Sequence, residues 1–191
     1  MSQRLVLLGP PGSGKGTQGT LLAAALAIPE ISTGALLRDQ MARGSALGVE
    51  ARTYIAQGHL VPDAVVNAMV RDRLGADDAV RGFILDGYPR NVPQVGVLDQ
   101  MLDELGWRLS AALEFSLAEN LVVERLTRRA ALEGRADDSE DVIRERLAVY
   151  HAQTEPIARV YRERGLLKRV DAAGTVEDVT ARVCLALGVA V

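Results

Sequence analysis

A glycine-rich loop between an apolar run and a helical pattern restricts the fold of this chain more than any other feature. Residues 5–8 are apolar and predict a strand that is buried on both faces. The loop GPPGSGKGT follows at residues 9–17, and residues 15–26 predict a helix. This order is typical of phosphate-binding loops, in which backbone N–H groups and a helix N-terminus face an anion.

One residue of the loop departs from the standard pattern G-x-x-x-x-G-K-[ST]. Gly16 follows Lys15, where that pattern has a hydroxyl that holds Mg²⁺. Gly12, Gly14 and Gly16 would let N–H groups approach phosphate oxygens with no Cβ in the way, and Lys15 supplies a mobile cation. A tight turn that binds nothing is the alternative. Three glycines, a lysine and Thr17 in register favour phosphate binding.

Strands and helices alternate along the rest of the chain. The apolar run at residues 83–86 predicts a further strand, and strands are also predicted at residues 113–116 and 167–171. Helices are predicted near residues 33–43 (capped by Ser32), 47–57, 62–74, 93–105, 120–129 and 176–187, with a long helix from about 139 that bends near Pro156. Alternation predicts a parallel sheet covered on both faces, with ligands beyond the carboxyl ends of its strands. Residues 32–61 and 129–137 contain no predicted strand and look inserted.

Composition excludes several classes of function. The 191 residues suit one domain, and a net charge of −3 provides no basic surface for nucleic acid. No apolar run approaches the roughly 18 residues of a membrane span. Cys184 is the only cysteine, which excludes an internal disulfide and fits a reducing compartment. We therefore expect a cytoplasmic protein that binds neither nucleic acid nor membrane.

Asp86 ends the apolar run at 83–86 and has two interpretations. An acid at a strand end is often a cap or a solvated turn residue. Beside a phosphate loop, a role in organising Mg²⁺, directly or through water, is favoured. His59 and His151 are the only histidines and there is no Cys/His cluster, so a zinc site is not expected.

Arginines are concentrated around the second inserted segment. They are Arg125, Arg128, Arg129, Arg135, Arg144 and Arg146. Some could form a solvated helical face with acidic partners, and we favour that interpretation for Arg128 and Arg144. The others could stabilise the negative charge of a phosphoryl group in transfer and exclude water when a loop closes. This suits a kinase with a small acceptor better than a switch protein.

Six motifs together resemble adenylate kinases over nearly the whole chain. They are GPPGSGKGTQ (9–18), STGALLR (32–38), GHLVPD (58–63), DGYPRNVPQ (86–94), GRADD (134–138) and RERL (144–147). The glycine after the lysine is that family's own form of the loop, so the loop is not broken. The resemblance implies a single α/β domain, a P-loop three-layer sandwich with a five-stranded parallel sheet. Its core would comprise residues 1–31, 62–128 and 138–191, with a helical NMP-binding insertion at 32–61 and a short lid at 129–137.

The resemblance also implies which residues bind each nucleotide. For ATP these are Gly12, Ser13, Gly14, Lys15, Gly16, Thr17, Arg129 and Gly174. For AMP they are Thr33, Arg38, His59, Leu60, Val61, Gly87, Tyr88, Pro89, Arg90, Gln94, Arg135 and Arg146.

Individual roles follow from the same resemblance. Lys15 would stabilise the transferring group, Arg90 would hold the AMP phosphate and Gln94 the adenine edge. Arg125 would lie beside Arg129, and Arg135 and Arg146 would span AMP and the transferred phosphate. Mg²⁺ would arrive as Mg-ATP with no direct protein ligand assigned, and Asp86, Asp137 and Asp138 would organise it or the arginines.

The implied activity is reversible transfer of the γ-phosphoryl of Mg-ATP to AMP, giving two ADP, by a monomer. A UMP/CMP kinase is the nearest alternative, and Thr33 and Gln94 favour AMP over it. A nucleotide-dependent switch is the alternative of another class, but the sequence contains no N-K-x-D motif. Ala35 departs from the acid often found after STG, which affects local helix stability more than activity.

Overall fold

The chain folds around a parallel sheet of five strands. The computed structural model describes residues 2–133 and 139–189, so Arg135, Asp137 and Asp138 lie outside the described residues. The strands are β1 (Gln3–Leu8), β2 (Glu30–Ser32), β3 (Gly82–Asp86), β4 (Ala111–Ser116) and β5 (Leu167–Asp171). Their order across the sheet is β2-β3-β1-β4-β5, and every neighbouring pair is parallel. The expected fold class is confirmed.

Helices cover both faces of this sheet. They are α1 (Lys15–Leu26), α2 (Thr33–Ala42), α3 (Ala46–Ala56), α4 (Asp63–Leu74), α5 (Val92–Glu104), α6 (Glu119–Glu133), α7 (Glu140–Val149), α8 (Glu155–Glu163) and α9 (Val176–Leu187), with a 3₁₀ turn at Asp77–Arg81 and a π turn at Tyr150–Thr154. Ser32 caps α2 as predicted, because its hydroxyl accepts a hydrogen bond from the N–H of Ala35 at 3.4 Å.

The core has two halves because side chains alternate along the buried strands. Val6 and Leu8 of β1 pack with residues of α4, α5 and α8 on one face. Leu5 and Leu7 pack with α1 and α9 on the other face. All four are 3% exposed or less, as expected for a strand covered on both faces. Among the described residues, no helix is both long and apolar enough to span a membrane.

The structure confirms one prediction about the helices and contradicts another. The predicted bend near Pro156 is confirmed as the π turn at Tyr150–Thr154, which separates α7 from α8. Proline lacks an N–H and its ring clashes with the carbonyl four residues earlier, so the turn before it widens. The predicted end of α6 at Arg129 is wrong. The helix continues to Glu133 because Ala130, Ala131 and Leu132 are good helix formers.

The register of the strands brings several residues to one edge of the sheet. Asp86 at the end of β3 pairs with Leu7 of β1 on one side and with Ser32 of β2 on the other. Leu8, the last residue of β1, pairs with Glu114 of β4, and the glycine loop begins at the next residue. The loop, the start of α2 and the turn after β3 therefore meet at the carboxyl edge of the sheet, where ligands bind in folds of this class.

Candidate active site

The glycine loop adopts a conformation that glycine makes available. Gly12 and Gly14 have φ angles of 79° and 88°, which are left-handed values that side chains disfavour. A Cβ at Gly12 would also lie 2.9 Å from Cγ of Leu126 on α6. Gly14 is the N-cap of α1, so the loop leads directly into a helix N-terminus. The arrangement favours an anion at this end of the sheet.

Lys15 lies at the start of α1 and folds back over the loop. Its Nζ donates hydrogen bonds to the carbonyls of Gly9 and Pro10, each at 2.8 Å, and to Oγ of Ser13 at 3.3 Å. Desolvation lowers the pKa of Lys15 to about 8, although the carboxylate of Asp86 opposes this change. Arg90, Arg146 and Arg129 lower the pKa further by repulsion, so cations converge on the lysine.

Asp86 faces the loop at the position where it departs from the standard pattern. A Cβ built on Gly16 would lie 3.8 Å from Oδ2 of Asp86, in ordinary contact. Ser32 Oγ donates to the same oxygen at 3.5 Å. The carboxylate therefore lies beside the loop, as the Mg²⁺ interpretation requires. The described residues contain no group of three or more His, Cys, Asp or Glu side chains that could hold a metal by themselves.

A cavity of about 770 Å³ opens above the loop and gathers residues that are far apart in the chain. Those predicted from the sequence are Gly12, Ser13, Gly14, Lys15, Gly16, Thr17, Arg38, Leu60, Asp86, Gly87, Pro89, Arg90, Arg125, Arg129, Arg146 and Gly174. The cavity thus combines the loop with cationic side chains of α2, α6, α7 and the turn after β3. This concentration of positive charge favours the binding of a polyanion.

A smaller cavity of about 90 Å³ adjoins the first. Its lining includes Thr33, Arg38, His59, Leu60, Val61, Gly87, Arg90, Gln94 and Arg146, all predicted to contact the second nucleotide. Arg38, Leu60, Gly87, Arg90 and Arg146 also line the larger cavity, so the two cavities share a wall. The side chain of Tyr88 lines neither cavity. It is fully buried and its hydroxyl donates to Oδ1 of Asn67 at 2.7 Å.

Hydrogen bonds fix the polar side chains of the smaller cavity. Gln94 is 2% exposed; its Oε1 accepts from the N–H of Arg90 and its Nε2 donates to Oδ1 of Asp63, both at 2.7 Å. Asn91 Nδ2 donates to both carboxylate oxygens of Asp63, at 3.0 and 2.9 Å. Thr33 Oγ1 donates to the carbonyl of Gly87 at 2.9 Å. The amide of Gln94 is thus held by its neighbours.

Sequence reasoning missed three residues at this edge. Asp63 and Asn91 hold Gln94, and both lie within quoted motifs, GHLVPD and DGYPRNVPQ, where neither received a role. Glu30 lines the larger cavity and accepts a hydrogen bond from Oγ1 of Thr20 at 2.8 Å. Desolvation raises the pKa of Glu30. No sequence pattern indicated it, because the short strand that carries it had not been predicted.

The arginines that the structure describes around the second inserted segment fall into two groups. Arg144 forms an exposed ion pair with Glu140 at 2.5 Å on α7, and Arg128 is exposed on α6. Arg125 instead reaches the turn after β5, where its Nη2 donates to the carbonyls of Ala172 at 3.0 Å and Gly174 at 3.4 Å. With Arg129 and Arg146 it lines the larger cavity. An exposed ion pair such as Arg144–Glu140 contributes little to stability.

Comparison with known proteins agrees with this geometry. The sequence model of the family described as adenylate kinase matches residues 7–166. The chain belongs to the adenylate kinase family. It is 50% identical to the adenylate kinase of Thermobifida fusca (strain YX) over 184 residues, which cover 96% of this chain and 97% of the relative. An adenylate kinase of Xylella fastidiosa (strain 9a5c) is 49% identical over 97% of this chain and 99% of its own length.

A third relative extends the same result. The adenylate kinase of Micrococcus luteus is 50% identical over 184 residues, covering 96% of this chain and 90% of that protein. The membership confirms the adenylate kinase resemblance drawn from the motifs, and with it a nucleoside monophosphate kinase, a phosphotransferase. The fold agrees as well, since a five-stranded parallel sheet carries the glycine loop at its carboxyl edge.

Proposed function

We propose that this adenylate kinase family member transfers the γ-phosphoryl group of Mg-ATP to AMP, reversibly, and forms two ADP. The observation that carries the proposal is the pair of adjoining cavities at one edge of the sheet. The glycine loop lines the larger cavity, and Gln94 lines the smaller one. Arg90 lines both. Two nucleotides with their phosphates turned toward each other match this arrangement.

On the ATP side, the loop backbone would hold the β- and γ-phosphates. The N–H groups of residues 12–17 and the N-terminus of α1 supply fixed partial positive charge. Lys15 would exchange its bonds to neutral carbonyls for bonds to phosphate oxygens, which are stronger because both partners are charged. Gly174, already held by Arg125, would contact the adenine through its backbone.

On the AMP side, Arg90 and Arg38 would bind the phosphate while Gln94 reads the base. Arg90 is oriented by a bond from its Nε to the carbonyl of Gly87 at 2.9 Å. Thr33 and the backbone of residues 59–61 would line the adenine. Tyr88 and Pro89 would contribute through the backbone course of the turn, since the side chain of Tyr88 is buried.

The chemical step would be a direct in-line displacement with no covalent enzyme intermediate. Its catalysis would consist of positioning and of stabilising the charge on the transferred group. Lys15, Arg90, Arg125, Arg129 and Arg146 line the larger cavity and are suited to that role, together with Arg135 outside the described residues. We also propose that an insertion at 32–61 and a short lid at 129–137 close over the substrates, because water inside would hydrolyse ATP.

Mg²⁺ would accompany ATP rather than occupy a site made by the protein alone. When bound, the ion would neutralise phosphate charge during transfer. Asp86 fits a supporting role, because its carboxylate lies beside Gly16 and accepts from Ser32, so it could orient the waters around the ion. Asp137 and Asp138 are further proposed partners of the ion or the arginines. A cytoplasmic monomer is the proposed state of the enzyme.

The test is ³¹P NMR of the purified protein with Mg-ATP and, in separate tubes, AMP, CMP or UMP. Rapid formation of ADP with AMP, and little transfer to CMP or UMP, is the expected result. Faster transfer to CMP or UMP would instead assign a pyrimidine nucleotide kinase and remove Gln94 as the selector. Slow release of inorganic phosphate at the same rate with each nucleoside monophosphate would contradict phosphoryl transfer between nucleotides.

A further inference from the structure

The side-chain amide of Gln94 could adopt either of two orientations. Its oxygen and nitrogen have nearly the same shape, but one accepts hydrogen bonds and the other donates them. A base-reading glutamine recognises a different base edge in each of its two orientations. We infer that Asp63 is a positioning residue that fixes the orientation of the Gln94 amide and so selects an amino purine against a keto purine. The inference rests on the proposed binding of AMP in the smaller cavity.

Two neighbours act on the amide from opposite sides. The backbone N–H of Arg90 can only donate, so it requires the oxygen of Gln94 on its side, at 2.7 Å. The carboxylate of Asp63 accepts hydrogen bonds, so it requires the amide nitrogen, also at 2.7 Å. Because Gln94 is 2% exposed, water cannot replace a bond lost by reversal. Both contacts favour one orientation.

Asp63 is itself held in place by a group that cannot reverse. The oxygen of the Asn91 side chain accepts a hydrogen bond from the backbone N–H of Gln94 at 2.9 Å and caps α5. The nitrogen of that side chain is therefore turned toward Asp63, and it donates to both carboxylate oxygens. The backbone of α5 thus sets Asn91, Asn91 sets Asp63, and Asp63 sets Gln94.

The orientation determines which base edge can pair with Gln94. Each amide atom retains capacity for one further bond, an N–H on Nε2 and a lone pair on Oε1. An adenine edge offers an amino donor and a ring-nitrogen acceptor, which match these two groups. A hypoxanthine edge offers a carbonyl acceptor and a ring N–H donor, which would need the reversed amide. Asp63 therefore opposes the keto base without touching the nucleotide.

The experiment compares AMP with IMP as phosphoryl acceptors in Asp63 variants. In Asp63→Ala, the amide loses one of the two contacts that oppose reversal, and only the N–H of Arg90 still favours the original orientation. We expect KM for AMP to rise roughly 10-fold with kcat little changed, and the ratio of kcat/KM for AMP to that for IMP to fall at least about 10-fold. Asp63→Asn keeps an oxygen that can accept from Gln94, so it should hold the ratio within about threefold of wild type.

Asn67→Ala is the matched control. Asn67 lies one turn further along α4 and accepts from the buried hydroxyl of Tyr88, which also lies 3.5 Å from the backbone carbonyl of Gln94. Its loss therefore perturbs the same helix and the same neighbourhood while it removes no hydrogen bond of the Gln94 side-chain amide. Asn67→Ala should leave the ratio of kcat/KM for AMP to that for IMP unchanged, even if the free energy of unfolding falls. If Asp63→Ala does not fold, Asp63→Ser replaces it with the same expected fall, because a hydroxyl both donates and accepts and imposes no direction.

Two outcomes contradict the inference and are distinguishable. If wild type prefers AMP and Asp63→Ala keeps the wild-type ratio within about twofold, Asp63 is only structural and the proposed function stands. If wild type transfers no phosphoryl group to AMP, both the proposed function and this inference fail. Calorimetric binding of AMP and of IMP gives the same comparison without turnover, and an unchanged ratio of the two Kd values would also overturn the inference.

Discussion

The glycine loop after β1 and the turn after β3 lie at the ends of neighbouring strands, yet they are built in opposite ways. The loop presents backbone: Gly12 and Gly14 adopt left-handed conformations, and Lys15 folds over the loop's own carbonyls. The turn and the first residues of α5, which follows it, present side chains, and Arg90 of the turn and Gln94 of α5 line the smaller cavity. Gln94 is held by a chain of hydrogen bonds that reaches Asp63 on α4.

This difference matches the two proposed tasks. Backbone N–H groups at a helix N-terminus recognise a phosphate whatever base is attached to it. Side-chain amides can tell one base edge from another, because the wrong base leaves buried polar groups unpaired. The loop is therefore suited to hold the donor nucleotide by its phosphates, and the turn is suited to select the acceptor.

The largest expected effect comes from the cation of the loop. Lys15→Ala should lower kcat about 10²–10³-fold, because the cavity loses a positive charge aimed at the transferred group. Steady-state assays with Mg-ATP and AMP measure this. Lys168→Ala removes an exposed lysine on β5 and should leave kcat unchanged. Equal values of kcat for wild type and Lys15→Ala would show that Lys15 takes no part in the chemical step.

On the opposite side of the comparison, Arg90→Ala should mainly impair the acceptor. We expect KM for AMP to rise roughly 10- to 100-fold, since a hydrogen bond to a charged group contributes about 1.5–3 kcal/mol. KM for ATP should change far less. Arg164→Ala, which breaks a surface pair with Asp99, serves as the control. If KM for ATP rose as much as KM for AMP, the glycine loop and the turn after β3 would not each bind a different substrate.

A pH titration of ATP binding sharpens the assignment of Lys15. Its pKa is lowered to about 8 by desolvation, with further repulsion from arginines, so the binding cation is lost as the pH rises through about 8. Below that pH the lysine is charged and binds phosphate. We expect Kd for ATP to increase above about pH 8, by up to about tenfold per pH unit.

Lys15→Ala is the control for this titration, and its weaker binding should show no such dependence. Calorimetry in buffers between about pH 7 and 9.5 would measure both proteins. The same rise in Kd for the variant and for wild type would assign the titration to another group.

The smallest expected effect is on the free energy of unfolding. It tests whether the stability of α5 can change without a change in the binding of AMP. Gly96 is exposed in the helix α5 that carries Gln94, and a Cβ there would meet nothing within 4 Å. Gly96→Ala should therefore raise the free energy of unfolding by about 0.5–1 kcal/mol and leave KM for AMP unchanged. Gly188→Ala should destabilise instead, because Gly188 ends α9 with a φ of 68°. Urea titration measures both.

Much of the fold could be predicted because its signals are local. Residues 15–26, 167–171 and 176–187 are predicted to form the elements that the structure contains at those positions. For the two helices the signal is apolar side chains at helical spacing between clear boundaries. The strand β2 had no such signal. It has three residues, only Ile31 of them is buried, and it forms by pairing with β3 at the edge of the sheet. Strand pairing of this kind is a tertiary contact that a short segment does not encode.

The sequence by itself determined the phosphate loop, the alternation of strands and helices, and the residue types that gather at the carboxyl edge. It could do so because glycine, lysine and apolar spacing restrict the backbone locally. Only the tertiary structure decided that Asp63, 31 residues before Gln94, lies 2.7 Å from its amide. The direction of a hydrogen bond depends on which neighbour is brought alongside, and that depends on how α4 and α5 pack against the sheet.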